Sequence, residues 1–250
     1  MIDFHSHILP HIDDGARNVQ ISLDMLADSY RQGIRTVVAT PHCLISSEDD
    51  IDIFIKRRQD SYDELMHAMS QDERDFPDVI LGSEVQVSKG VTNFEKMHRL
   101  CISDTNYIMI EMPYKKWNED CFDYLYELII KDMHPIIAHV ERYLDKKREF
   151  YNLYSLDLIY QVNADSFLSP FVKRFLPELF SEGSIQLLGS DMHSLSRRPS
   201  RMEEAKNRIL KSYGNERFEQ LMNNAELVLK NERIEKIRYE KMPLLKKLKV

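Results

Sequence analysis

Seven short apolar runs, separated by longer stretches of a different periodicity, constrain this chain more than any other feature. They are Met1–Phe4, Thr36–Ala39, Val79–Leu81, Tyr107–Ile110, Ile136–Ala138, Leu158–Val162 and Ile185–Leu188. Their length suits strands and is too short for helices. The segments between them carry helical spacing. Asn18 is placed to cap a first helix that has Val19, Leu23, Leu26 and Tyr30 on one face and Gly33 closing it. Further helices are predicted over Asp50–Met69, Glu119–Asp132, Pro170–Ser181, Pro199–Tyr213 and Glu216–Asn223. Alternating strand–helix units predict an α/β fold with a parallel sheet. That sheet is either a closed or nearly closed barrel with helices outside or a doubly wound open sheet.

Length and charge narrow the classes further. At 250 residues the chain fits one large domain or two small ones, and 43% hydrophobic content is enough for a sizeable core. It contains no uninterrupted apolar window of about eighteen residues, so no membrane-spanning helix is predicted. Its start lacks the basic-then-apolar pattern of a secretion signal. Cys43, Cys101 and Cys121 are odd in number and widely spaced, which suits a reducing compartment and predicts a cytoplasmic protein. A net charge of -7 argues against nucleic acid as a partner. It leaves an anionic substrate open, because bound metal ions reverse the local field. The end of the chain differs: from Arg233 to Val250 there are seven Lys/Arg against two Glu. This tail reads either as a solvated terminus or as a basic arm for peripheral contact with acidic membrane or an acidic partner.

The unusual polar residues fall where such strands end. In parallel α/β architectures, catalytic groups gather at the C-terminal ends of the strands. The first run leads into His5 and His7, with Asp14 in the adjoining loop, and the second into "ATPHC" with His42. The third leads into "LGSEVQ" with Glu84, the fourth into "IMIEMP" with Glu111 and the fifth into "IIAHVER" with His139. The seventh leads into "LLGSDMH" with Asp191 and His193. In strand geometry an HxH pair puts both imidazoles on one side of the chain, as chelation requires. A single strand-end Glu or His has an ordinary hydrogen-bonded reading. Five histidines and four carboxylates at equivalent ends point instead to a metal cluster. Of the other histidines, His67, His98 and His134 read as surface groups, and His11 as a loop residue near the site. Asp13 and Asp14 compete for one role, the other orienting the loop.

Taken together, "MIDFHSHILPHIDDGA", "VVATPH", "GSEVQ", "IEMP", "AHVERY" and "GSDMHS" resemble the PHP (polymerase and histidinol phosphatase) superfamily. More closely, they are similar to the metal-dependent bacterial protein-tyrosine phosphatases encoded with capsular and exopolysaccharide systems. The resemblance implies a distorted seven-stranded (β/α) barrel of PHP type as a single domain over residues 1–230, with 231–250 as the basic tail. It implies three divalent metal ions, manganese favoured, with iron or zinc as the other options for thiolate-free ligands. His5, His7, Glu84 and Asp191 would hold one ion. Glu84, Glu111 and His139 would hold a second, and Asp14, His42 and His193 a third. Arg142 would bind phosphate, with Arg198 or adjacent Arg197 as its partner, and Asp191 and His193 join the arginines as catalytic residues. The implied substrate is a phosphotyrosine protein, the tail of a kinase regulating polysaccharide synthesis. Three positions depart from the family pattern: His11 replaces a common glycine, Cys43 a frequent histidine and Val140 a common proline. None of these is a proposed ligand.

Charge supports the implied chemistry. Three dications against four carboxylates leave a net positive site suited to a phosphate dianion, and arginine forks match its oxygens in a way lysine does not. Phosphoryl transfer needs chiefly positioning and electrostatics. Cysteine-dependent dephosphorylation requires an arginine six positions after the thiolate. Asp49, Tyr107 and Glu127 stand there instead, so the three thiols read as inert packing groups. The rival readings are a small-molecule phosphatase such as histidinol-phosphate phosphatase, a nuclease or polymerase-associated domain, and a non-catalytic metal-binding regulator. In the histidinol-phosphate branch the Asp14 position is usually histidine, which favours the phosphotyrosine reading.

Overall fold

A computed structural model describes residues 1–87, 94–114, 117–144, 153, 156, 158–169 and 176–235. Its first half runs β1 (Ile2–Ser6), α1 (Val19–Arg31), β2 (Thr36–Ala39), β3 (His42–Cys43), α2 (Glu48–Ser70), β4 (Asp78–Leu81) and β5 (Glu84–Gln86). There follow β6 (Tyr107–Glu111), α3 (Glu119–Ile130), β7 (His134–Ile137), β8 (Ile159–Asn163), α4 (Leu176–Ser181), β9 (Leu187–Gly189), α5 (Met202–Tyr213) and α6 (Asn215–Leu229). The strands form an α/β fold with one sheet ordered β1-β2-β4 and another ordered β3-β5-β6-β7-β8-β9. Every strand pairing among the described residues is parallel.

The second and third apolar runs each continue, after a two-residue break, into a short strand bearing a proposed ligand. Thr40 and Pro41 separate β2 from β3, and Pro41 has no N–H for a ladder. Gly82 and Ser83 separate β4 from β5. The same pairing offset holds on both sides, with Thr36 opposite Asp78 and His42 opposite Glu84. At the other edge, a parallel bridge joins Ser6 to Met192.

The helices follow from their signals. Asn18 accepts the Ile21 N–H at 2.9 Å, and Gly33 closes α1 in left-handed backbone at φ +84°. Ser47 caps α2. α6 extends past the predicted end at Asn223, because Ala225 and Val228 prolong its buried face and Asn224 donates to the Gln186 carbonyl at 3.0 Å. α5 begins at Met202 rather than at Pro199, since Arg201 holds left-handed backbone at φ +49°. Of the predicted Pro170–Ser181 helix, positions 170–175 lie outside the described residues, as do positions 236–250 of the basic tail.

One large apolar cluster of strand and helix residues includes Leu26, Val37, Ile110, Ile137 and Leu188. A smaller one, including Phe4, Met109, Ile136 and Leu187, packs strand residues against Ala225 and Val228 of α6. Among the described residues no helix is long and apolar enough to cross a membrane.

Candidate metal centre

Strand ends bring the proposed ligands together. His5 Nε2, His7 Nε2, Glu84 Oε2 and Asp191 Oδ1 form a small cage. Within it, His5–His7 is 3.2 Å, His5–Glu84 3.4 Å, His7–Glu84 3.4 Å, His5–Asp191 3.7 Å and His7–Asp191 3.3 Å. Four ligands about 2.1 Å from a tetrahedral ion stand about 3.4 Å apart. These five separations match the edges of a coordination sphere, and His5, His7 and Glu84 place ligand atoms within 4.8 Å of one another. The walls of the cage are buried, with His5 and His7 at 0% exposure and Glu84 at 1%.

Glu84 is the hub. Its Oε1 lies 2.8 Å from His139 Nε2, and His139 Nε2 is 3.6 Å from Glu111 Oε1. Its Oε2 lies 2.8 Å from His42 Nδ1, outside hydrogen-bond geometry, so this buried oxygen has no hydrogen-bond partner. A buried anionic oxygen without a donor calls for a cation. His42, Glu84 and Glu111 can place ligand atoms within 4.8 Å of one another, and so can His7, His42 and His193. Asp14 Oδ1, on the exposed side, lies 3.5 Å from His42 Nε2 and 3.4 Å from His193 Nε2.

The field in the cluster is that of a cation site. Burial opposes charge on His5 and His7, yet the surrounding carboxylates hold both imidazoles above their ordinary value, His7 well above. Burial likewise opposes ionisation of Glu84 and Asp191, and the histidines hold both well below the usual carboxylate range. Burial and the neighbouring Glu84 push Glu111 up. The residues fit divalent ions by geometry, by donor type and by charge.

The two arginines sit on the outer side of Asp191. Arg142 and Arg198 each donate to Asp191 Oδ2 at 2.5 Å, and Arg198 NH1 is 3.0 Å from His193 Nε2. Arg197 is exposed. Both Arg142 and Arg198 line a cavity of about 310 Å³ with Asn163, Ser166, Leu176 and Asp191.

Asp13 and Asp14 divide the loop between them. Asp14 faces the histidines, while Asp13 turns inward, taking the His7 Nδ1 proton at 2.7 Å and the backbone N–H groups of Gly15 and His42. That carboxylate–histidine contact fixes the tautomer leaving His7 Nε2 toward the cage. Burial raises the Asp13 carboxyl, but His7 and the two N–H groups hold it down at about 2. Asp13→Asn is expected to weaken metal binding by about 10–100-fold, read by chelator competition. In the metal-free protein the Asp13 carboxylate stabilises fully above its unfolded value of about 3.9. This contribution is lost as the pH falls toward about 2, so the variant is expected to show a flatter acid limb in pH-dependent melting.

The remaining histidines separate. His67 and His98 are exposed. His11, with φ +61°, is a half-exposed loop residue 3.9 Å from Glu64. His134 corrects the surface reading: it opens β7, half-buried, its ring 4.9 Å from that of Tyr107. Sequence reasoning missed Gln161, Asn163 and Tyr143, whose side chains touch ligand residues. The alternation in "IYQVN", with amides at every second place of an apolar strand, carried a signal for the first two.

Parallel strands present these residues together at their C-terminal ends, which defines an α/β protein with a candidate metal centre. This chain belongs to the capsular polysaccharide synthesis CpsB/CapC family, whose model matches residues 1–230. It is 31% identical over 242 residues to the tyrosine-protein phosphatase YwqE of Bacillus subtilis, covering 94% of this chain and 93% of that one. It is 28% identical over 245 residues to the tyrosine-protein phosphatase CpsB of Streptococcus agalactiae, covering 92% and 99%. Among solved structures, those of YwqE from Bacillus subtilis and CpsB from Streptococcus pneumoniae are described as unique metal-dependent tyrosine phosphatases. A chain from that work superposes with a TM-score of 0.82 at 29% identity, covering 94% of this chain and 96% of that one.

Proposed function

We propose that this chain is a metal-dependent tyrosine-protein phosphatase of capsular polysaccharide synthesis. The observation that carries the reading is the buried cluster of His5, His7 and Glu84 with Asp191 beside both histidines and two arginines at its edge. The family relatives support the substrate class. His5, His7, Glu84 and Asp191 would hold one ion, Glu84, Glu111 and His139 a second, and Asp14, His42 and His193 a third, with manganese as the metal. When bound, divalent ions supply Lewis-acid stabilisation of phosphoryl charge and a nucleophilic water at neutral pH.

The chain's own groups do the rest. Arg142 and Arg198 turn from Asp191 to the equatorial phosphoryl oxygens in the adjoining cavity, where their planar forks neutralise charge. His193 borders the same phosphate through Arg198. A phenolate leaves with a pKa of about 10, so the ester needs less acid assistance than a serine phosphate. The substrate is the phosphorylated tail of a kinase that regulates polysaccharide synthesis. The three free cysteines support a cytoplasmic setting.

The scaffold reading is a single distorted seven-stranded barrel over residues 1–230. Counting β2 with β3 and β4 with β5 as interrupted strands gives seven rows, and the Ser6–Met192 bridge supports closure between the first and last.

The test compares phosphate release from a phosphotyrosine peptide, a phosphoserine peptide and histidinol phosphate, with and without chelator. Release from phosphotyrosine is expected to require metal and to fall by about 100-fold or more in Arg142→Ala. Asp191→Ala is expected to lose nearly all activity. Alkylation is expected to change nothing, because burial pushes the thiols of Cys43 and Cys101 up to about 12 and that of Cys121 upward too. Preference for histidinol phosphate would overturn the substrate; activity without metal would overturn the mechanism.

A further inference from the structure

β8 ends without a metal-ligand side chain, yet one of its faces carries Ile159, Gln161 and Asn163 at the strand period of two. Gln161 is fully buried and Asn163 is 7% exposed. Burying amides is costly unless they are hydrogen-bonded, so their partners are informative. The backbone N–H of His139 can act only as a donor, and it lies 2.7 Å from Gln161 Oε1. This contact fixes that atom as the amide oxygen. His5 Nδ1 lies 3.1 Å from the same oxygen and therefore carries a proton there, which directs His5 Nε2 into the cage. Gln161 Nε2 in turn donates to Asn163 Oδ1 at 2.9 Å. The orientation of Asn163 follows, and its Nδ2 donates to Asp191 Oδ2 at 2.8 Å.

We infer that Gln161 and Asn163 are positioning residues whose amide chain holds His5, His139 and Asp191 in metal-binding geometry and so sets the metal affinity of the centre. Three observations converge on this. His139 holds left-handed backbone at φ +35°, a conformation unfavourable for a non-glycine residue, and its N–H donates to Gln161 in that conformation. His5 has its tautomer selected by the same oxygen. Asp191 keeps Oδ1 toward His5 and His7 because Oδ2 is held from behind. Arg142 and Arg198 share that oxygen. When they turn to a substrate phosphate, the Asn163 amide keeps Asp191 in place.

The inference rests on the metal-centre reading and not on the identity of the phosphoester. Its test is equilibrium competition for Mn²⁺ between the full chain and a metallochromic chelator, with calorimetric melting of each metal-free protein. Gln161→Met keeps the length of the side chain but removes the acceptor, and is expected to raise the Kd by about 10–100-fold. Gln161→Glu keeps an acceptor for His5 and His139 but loses the donor to Asn163, and is expected to recover part of the affinity lost in Gln161→Met. Asn163→Ala removes the support on Asp191 and is expected to raise the Kd, which keeps the test open if Gln161→Met does not fold. Wild-type affinity in a folded Gln161→Met or Asn163→Ala protein would overturn the inference. So would an equal loss in Gln161→Glu, because that pattern marks packing rather than positioning. A wild-type chain that binds no Mn²⁺ would instead overturn the metal centre itself.

Discussion

Glu84→Gln is expected to strip the centre of metal and to lower turnover of a phosphotyrosine peptide by roughly a thousandfold or more. The side chain changes by one atom, so packing is preserved and the effect isolates charge and lone pairs. Both carboxylate oxygens are used. Oε2 faces His5 and His7 at 3.4 Å and His42 at 2.8 Å, while Oε1 faces His139 at 2.8 Å. An amide has one oxygen for these roles. Its NH2 group would point protons at a place where imidazole lone pairs and a cation converge. The variant also shifts the metal-free protein. His7 is held well above its ordinary value, burial opposing and Asp13, Asp191 and Glu84 raising it. Its contribution to stability is therefore complete below an unfolded value of about 6.5 and is lost as pH rises through the folded value. Removing Glu84's charge should make the metal-free variant less stable than metal-free wild type near pH 6, the two converging at alkaline pH. Full metal content by mass spectrometry, with activity intact, would sink the assignment of Glu84 as the shared ligand.

The sequence exposed the cage and hid what supports it, for a physical reason. Metal ligands are drawn from a few residue types, and strand ends are the places where such types are out of character in an apolar run. His5, His42, Glu84 and Asp191 were therefore conspicuous. Gln161, Asn163 and Asp13 act through hydrogen bonds whose partners are distant in the chain, and an isolated amide or loop aspartate has many ordinary roles. The breaks that create β3 and β5 were partly legible in Pro41 and Gly82. That the ladder would resume in the same register after each break depends on neighbouring strands. α6 was read as ending at Asn223, whereas it runs on to Leu229 and the buried Asn224 amide finds the Gln186 carbonyl. His134 was read as a surface group, yet it opens a strand. Pro135 pairs opposite Ile108 within the parallel sheet.

Gly189→Ala is the second large effect, and it separates backbone approach from side-chain chemistry. A Cβ on Gly189 would stand 2.6 Å from His5 Cβ, 2.8 Å from His5 N and 3.0 Å from Gln161 Nε2. Two of these atoms belong to β1 close to its backbone, so relief requires moving a strand rather than rotating a side chain. Just beyond, the Asp191 N–H donates to the His5 carbonyl at 2.7 Å, and the Ser6–Met192 bridge lies next to it. Added bulk here parts the strands that carry His5 and Asp191. Overpacking of this kind costs about 1–3 kcal/mol, which for a chain of this size corresponds to a fall of roughly 2–12 °C in Tm. Metal affinity should fall with it, since the cage edges depend on that spacing. Gly15 stands in the same relation to His7, its added Cβ meeting His7 Cβ at 2.6 Å. Each histidine of the HxH pair is thus backed by a glycine. Gly214→Ala is the control: its φ of +88° penalises alanine, but no neighbour lies within 4 Å, so it should cost stability while leaving metal binding unchanged. If Gly189→Ala lowers Tm no more than this control and binds Mn²⁺ like wild type, close packing behind His5 does not set the geometry of the centre.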